Sequence, residues 1–183
     1  MRHGAASRAM LPGMRRLRAL LLISLTATVA LAKDDAPDAH YIASTLASGR
    51  CDFGDCLGYG WTTRVGKADM ATRCDFSDCV EYGWTTRDGK GKASVTRCDF
   101  GKCLEYGWTT RHPDGKSSVS RCDFGKCWEY GWTTRHPDGK SSVSRCDFGD
   151  CATKGWSTRL PDGKSVRCTC NFGDCKKNGA DCG

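Results

Sequence analysis

In 183 residues the chain carries 14 cysteines and 22 glycines at a mean hydropathy of −0.52, and leucine and isoleucine are almost absent after Ala47, which excludes one large aliphatic core. The formal charge of +7 does not point to a nucleic-acid partner, because Arg2, Arg8, Arg15, Arg16 and Arg18 supply five of those charges and residues 33–183 keep only +2. Acids and bases also alternate within each later segment, as in Asp138-Gly139-Lys140, so no basic face is expected and nucleic acid is excluded.

Residues 1–32 read as a signal peptide. Arg15, Arg16 and Arg18 form a positive region, Ala19 to Val29 is apolar, and Ala30-Leu31-Ala32 offers a small-x-small cleavage pattern ahead of Lys33. The apolar run falls short of the ~20 residues that a membrane span needs, so no stable span is expected after cleavage. The product is expected to be exported, either periplasmic or secreted. Residues 33–49 lack cysteine, contain Pro37 and carry Lys33, Asp34, Asp35 and Asp38, a composition that suits a flexible leader.

From Arg50 the chain repeats itself. Units open at Arg50, Arg73, Arg97, Arg121 and Arg145, at spacings of 23, 24, 24 and 24 residues, each beginning Arg-Cys-Asp-Phe. Units 97–120 and 121–144 differ only by Leu104 against Trp128. Within a unit, Trp132-Thr133-Thr134-Arg135 favours a strand. Pro137-Asp138-Gly139 marks a turn, and Ser141 to Phe148 can run back as the partner strand. Asp88-Gly89 and Pro161-Asp162-Gly163 sit at the same place in other units, and Val65-Gly66-Lys67 is a weaker turn. Gly125-Lys126 to Gly131 reverses the chain again, and no window has a 3.6-residue amphipathic period. The expected fold is all-β: about five tandem hairpin units over 50–167, forming an elongated, disulfide-stapled array in which each unit touches its neighbours. Residues 168–183, with a truncated start at Cys170-Asn171-Phe172, read as a cysteine-rich C-terminal cap that covers an open strand edge. The period is similar to that of the MORN and choline-binding hairpin arrays, whose diagnostic motifs are absent, so no function is carried over.

Cysteines recur as C-x4-C pairs: Cys51/Cys56, Cys74/Cys79, Cys98/Cys103, Cys122/Cys127, Cys146/Cys151 and Cys170/Cys175, with Cys168 and Cys182 outside the pattern. An even count in an exported chain points to structural disulfides. Spacing allows pairing within a unit or between neighbours, and local pairing would leave Cys168 and Cys182 for each other. The alternative is sequestration of Cu(I) or Zn by the twelve C-x4-C cysteines as thiolates. In that respect the layout resembles exported copper-buffering peptides with modified cysteines. Zinc sites prefer tighter spacing, and the histidines beyond residue 32 are only His40, His112 and His136, so imidazole cannot be a repeated ligand.

No catalytic residue stands out: every cysteine and aspartate has copies, and a nucleophilic thiol would need a base beside it. Phe and Trp of each unit are expected to form a small core over the disulfide. Tyr59, Tyr82, Tyr106 and Tyr130 are the candidate ligand-facing rings, and Trp128 could add one more. The Arg and Asp of each unit suit ion pairs lining a hairpin face. The reading is therefore a non-enzymatic, cofactor-free envelope module, binding or structural, with a polysaccharide or a surface protein as the fitting partner.

Overall fold

The computed structural model describes residues 48–183, Gly66 excepted, so the signal peptide, most of the leader and the centre of the Val65-Gly66-Lys67 turn lie outside the described residues. The remainder is a single antiparallel meander of twelve strands in sequence order. These are β1 (Arg50–Cys51), β2 (Gly60–Val65), β3 (Ala68–Cys74), β4 (Trp84–Arg87), β5 (Ala93–Cys98) and β6 (Trp108–Arg111), then β7 (Ser117–Cys122), β8 (Trp132–Arg135), β9 (Ser141–Cys146), β10 (Trp156–Arg159), β11 (Ser165–Cys170) and β12 (Ala180–Cys182). The hairpin turns form where proline, aspartate and glycine place them. His136 N–H donates to the Lys140 carbonyl at 2.8 Å, Asp138 Oδ1 accepts from Lys140 N–H at 3.0 Å, and Gly139 takes φ 83°.

The second reversal is more structured than the sequence indicates. A single 3-10 turn such as Asp123–Gly125 follows the first cysteine of each C-x4-C pair, and from the third unit on a four-residue helical turn such as Cys127–Tyr130 comes after it. Four residues are too few to show a helical period, which is why no pattern announces them.

Tryptophans curl the sheet. Trp84 on β4 and Trp108 on β6 lie two strands apart, a separation of roughly 9–10 Å in a flat sheet. Their ring centroids are nevertheless 5.7 Å apart, and the same holds for Trp61–Trp84 (5.7 Å), Trp108–Trp132 (5.6 Å) and Trp132–Trp156 (5.7 Å). Rings converge like this only on the concave side of a curved sheet. All five tryptophans are buried there with the cysteines, and Ala180 stands where a sixth would be. Trp128 packs against this interior with part of its ring: it is half-buried, meets Trp156 edge-on at 6.5 Å and carries Lys176 Nζ 5.5 Å from its ring centroid.

The curl brings the two ends of the array together. Cys79 N–H donates to the Leu57 carbonyl at 2.8 Å and Cys103 N–H to the Val80 carbonyl at 2.9 Å, bonds that tie each unit to the one before. Cys56 N–H donates likewise to the Lys176 carbonyl at 2.9 Å, which ties the first unit to the last. Gly131, at φ 96°, sits so close to the Ser144 carbonyl that a Cβ would collide with it, and Gly179 is packed in the same way against the Gly49 carbonyl. A repeated head-to-tail interface closes on itself when its rotations complete a turn. The hairpin array is therefore nearly closed and barrel-like, not elongated. Ser48, at the end of the leader, is buried, and residues 168–183 repeat the opening of a unit as a truncated sixth copy that ends in β12.

Neighbouring units are joined inside by hydroxyl pairs: Thr72–Thr86 at 2.8 Å, Thr96–Thr110 at 2.9 Å, Ser120–Thr134 at 2.7 Å and Ser144–Thr158 at 2.8 Å. At the next interface the residues in this register are Cys168 and Cys182, and they form a disulfide. At this interface a covalent bond takes the place of the hydroxyl pair. The double variant Cys168→Ser/Cys182→Thr is expected to lose about 3 kcal/mol of loop entropy and to regain about 1 kcal/mol from the new hydrogen bond. Urea unfolding should therefore find it more stable than Cys168→Ala/Cys182→Ala by about 1 kcal/mol.

Candidate binding rim

All fourteen cysteines are paired. Cys51–Cys56, Cys74–Cys79, Cys98–Cys103, Cys122–Cys127, Cys146–Cys151 and Cys170–Cys175 are disulfides within units, and Cys168–Cys182 is the seventh. Of the pairings open at the level of spacing, the local one is realised. Thiolate capture of Cu(I) or Zn would require these bonds to be reduced. Among the described residues no three His, Cys, Asp or Glu side chains converge as a ligand group. His112 is hydrogen-bonded to Ser118 at 2.9 Å, and His136 is bonded in the same way to Ser142.

Each small disulfide ring must reverse the chain within four residues, and it does so through two successive left-handed residues. In the fourth unit these are Phe124 (φ 49°) and Gly125 (φ 71°). Glycine is expected there, but phenylalanine is not, since a left-handed backbone costs an L-residue about 1–2 kcal/mol. The same conformation recurs at Phe53, Phe76, Phe100, Phe148 and Phe172. All six rings project into solvent, with exposures from 87% to 97%. The expectation that phenylalanine shares the core with tryptophan is thus wrong, because the turn that closes the ring points its side chain outward.

Each exposed phenylalanine of the first four units meets its own tyrosine edge-on. The pairs are Phe53–Tyr59 (5.5 Å), Phe76–Tyr82 (5.3 Å), Phe100–Tyr106 (5.5 Å) and Phe124–Tyr130 (5.4 Å). The four tyrosines are themselves exposed, at 41% to 52%. Lys126 Nζ lies 5.8 Å from the Tyr130 ring and pairs with Glu129 at 2.8 Å, and Lys102 repeats this with Tyr106 and Glu105. The Lys126 ammonium, and then the Tyr130 hydroxyl, hold the Glu129 carboxyl below the usual carboxylate range, while Glu129 pushes the Tyr130 hydroxyl up. Glu81 pushes the Tyr82 hydroxyl up in the same way.

Ion pairs cross the unit boundaries. Asp52, Asp75, Asp99 and Asp123 each pair with the first arginine of the next unit: Arg73, Arg97, Arg121 and Arg145. Asp147 pairs instead with Arg167 of its own unit, three residues before Cys170, at 2.9 Å. Thr133 Oγ1 also donates to Asp123 Oδ1 at 3.5 Å, the long end of a hydrogen bond. Asp123, Phe124 and Tyr130 of the fourth unit and Arg145 of the fifth border one open hollow of about 510 Å³ beside Cys122. Sequence reasoning placed the tyrosines at the surface but missed their phenylalanine partners. The signal was available, since a bulky residue before glycine in a four-residue disulfide ring has little choice but to point outward.

The fold and rim together define a disulfide-stapled β-hairpin repeat protein with a ring of exposed aromatic pairs. No family model, no curated protein and no solved structure matches the chain.

Replacing Phe124 by Asn should leave the protein as stable as before, or up to about 1 kcal/mol more stable. Asparagine tolerates the left-handed turn, and the edge-on packing against Tyr130 that it gives up is worth only about 0.5–1.5 kcal/mol. Urea titration of the single variant checks this, and a clear loss of stability would return Phe124 to the core.

Proposed function

We propose that this is a non-catalytic, exported module of the cell envelope that binds a repetitive partner, a polysaccharide or a surface protein, through its ring of Phe–Tyr pairs. The observation that carries the reading is the four-fold recurrence of one exposed aromatic pair on a scaffold whose five strand tryptophans are buried. Large apolar rings kept in solvent, on a turn that strains the backbone to hold them there, serve contact with another molecule better than they serve folding. Repetition raises a weak affinity without new contacts when the ligand repeats as well.

Replacing Tyr59, Tyr82, Tyr106 and Tyr130 together by Ala should leave the tryptophan near-ultraviolet signal intact and reduce retention on immobilised envelope material by at least tenfold. Unchanged retention would make the array a spacer. Export is tested on the same sample: an intact mass beginning at Lys33 is expected, and a mass that retains residues 1–32 would remove the exported reading.

A further inference from the structure

Resting on that reading, we infer that each of the first four unit boundaries forms one composite subsite for a neutral pyranose-type sugar, built from two consecutive units. In the hollow at Asp123, Phe124, Tyr130 and Arg145, an exposed ring face lies beside a carboxylate and a guanidinium already locked to each other. The Phe124 ring supplies a flat apolar face for the C–H face of a sugar. Asp123 accepts hydrogen bonds and Arg145 donates them, so adjacent hydroxyls of one sugar can be met by both at fixed spacing. Arg145 makes both of its bonds to the protein, to Asp123 and to the Ser144 carbonyl, through Nη1, which leaves the rest of the planar guanidinium facing the hollow's solvent.

Charge selects the ligand class. Each guanidinium is neutralised by the carboxylate beside it, so the hollow holds no net positive charge to attract phosphate, sulfate or uronate. An anionic polymer would also have to displace Asp123. A neutral polyhydroxyl ligand needs only the hydrogen-bonding atoms and the ring. The hollow of about 510 Å³ lies within the roughly 300–1,000 Å³ usual for small-ligand sites.

The subsite count follows from departures within the repeat. In the fifth unit Asp147 pairs with Arg167 of that same unit and Lys154 holds the tyrosine position, and the sixth unit has Asn171 in place of the aspartate. Four complete subsites remain. Because the arginine of each of these comes from the following unit, an isolated unit would lack half of its hydrogen-bonding groups.

The full-length oxidised chain should be tested by affinity electrophoresis against immobilised β-glucan, mannan, galactan and chitin oligosaccharides. Alginate and heparin serve as anionic arms, and reduced carboxymethylated casein as an extended-polypeptide arm. The expected result is retardation by at least one neutral glycan, unchanged between 50 and 500 mM salt. Calorimetry with a short oligomer of that glycan should then give a stoichiometry near four. Changing Arg73, Arg97, Arg121 and Arg145 together to Gln should weaken binding at least tenfold, as should changing Phe53, Phe76, Phe100 and Phe124 to Asn, each with the tryptophan signal retained. Arg145→Lys on its own keeps the charge and serves as the fold-neutral check, with an expected stoichiometry near three. Binding confined to the anionic arms and lost in salt would overturn the neutral-sugar assignment. Binding to casein alone, abolished by the Phe variant, would overturn the sugar class while leaving a multivalent aromatic binder standing. Glycan binding that ignores the arginine variant would overturn the composite site, and failure of every arm would overturn both readings.

Discussion

Excess dithiothreitol, with no metal present, is expected to unfold the whole array. Tryptophan near-ultraviolet dichroism should be lost, and cleavage by trypsin at the repeated arginines should follow. In the chain-entropy account each six-residue ring contributes about 2 kcal/mol, and the 15-residue loop closed by Cys168–Cys182 about 3 kcal/mol. Together these are on the order of 15 kcal/mol, the upper end of the net stability of a typical domain at about 5–15 kcal/mol. The described core has little to replace them, since apart from tryptophan and cysteine its fully buried large side chains are mainly threonines and Met70. Titration of the native protein under denaturing, non-reducing conditions should find no free thiol. Retention of the tryptophan signal in strong reductant would refute the covalent account of this fold.

Trp108→Ala is expected to cost about 3–5 kcal/mol, the usual range for emptying a buried tryptophan site. Trp108 is 4% exposed and lies between Trp84 and Trp132, so its removal breaks the run of rings on both sides and opens the middle of the concave face. The contrast with Phe124→Asn is the sharper test. Both positions carry an aromatic residue in every complete unit, yet one change should be among the most damaging in the chain and the other neutral or stabilising. Urea midpoints for the two variants, measured at equal slope, decide the matter. Similar losses would mean that the phenylalanines are also interior.

Hairpin character was legible in the sequence because it depends on local chemistry. Trp-Thr-Thr-Arg cannot pack as a helix face at this spacing, and Pro-Asp-Gly sets its own turn. The local disulfides were legible only as one of two options, since spacing constrains which cysteines can meet without choosing between neighbours. The pairing of Cys168 with Cys182 becomes intelligible once β11 and β12 are set in register. There the two sulfurs occupy the position filled elsewhere by Ser120–Thr134 and Ser144–Thr158. The candidate rim was half legible: tyrosine beside glutamate reads as surface, whereas phenylalanine reads as core until its positive φ is known.

By itself the sequence determined the repeat and its strand–turn–strand grammar, because both are decided within about 24 residues. Only the tertiary structure decided that the array curls until its ends meet, that tryptophan lies inside and phenylalanine outside, and that aspartate reaches the arginine of the next unit. Those outcomes depend on the rotation between successive hairpins. That rotation is set by tryptophans converging on one face and glycines packed against neighbouring carbonyls, interactions between units that no single unit's residues specify.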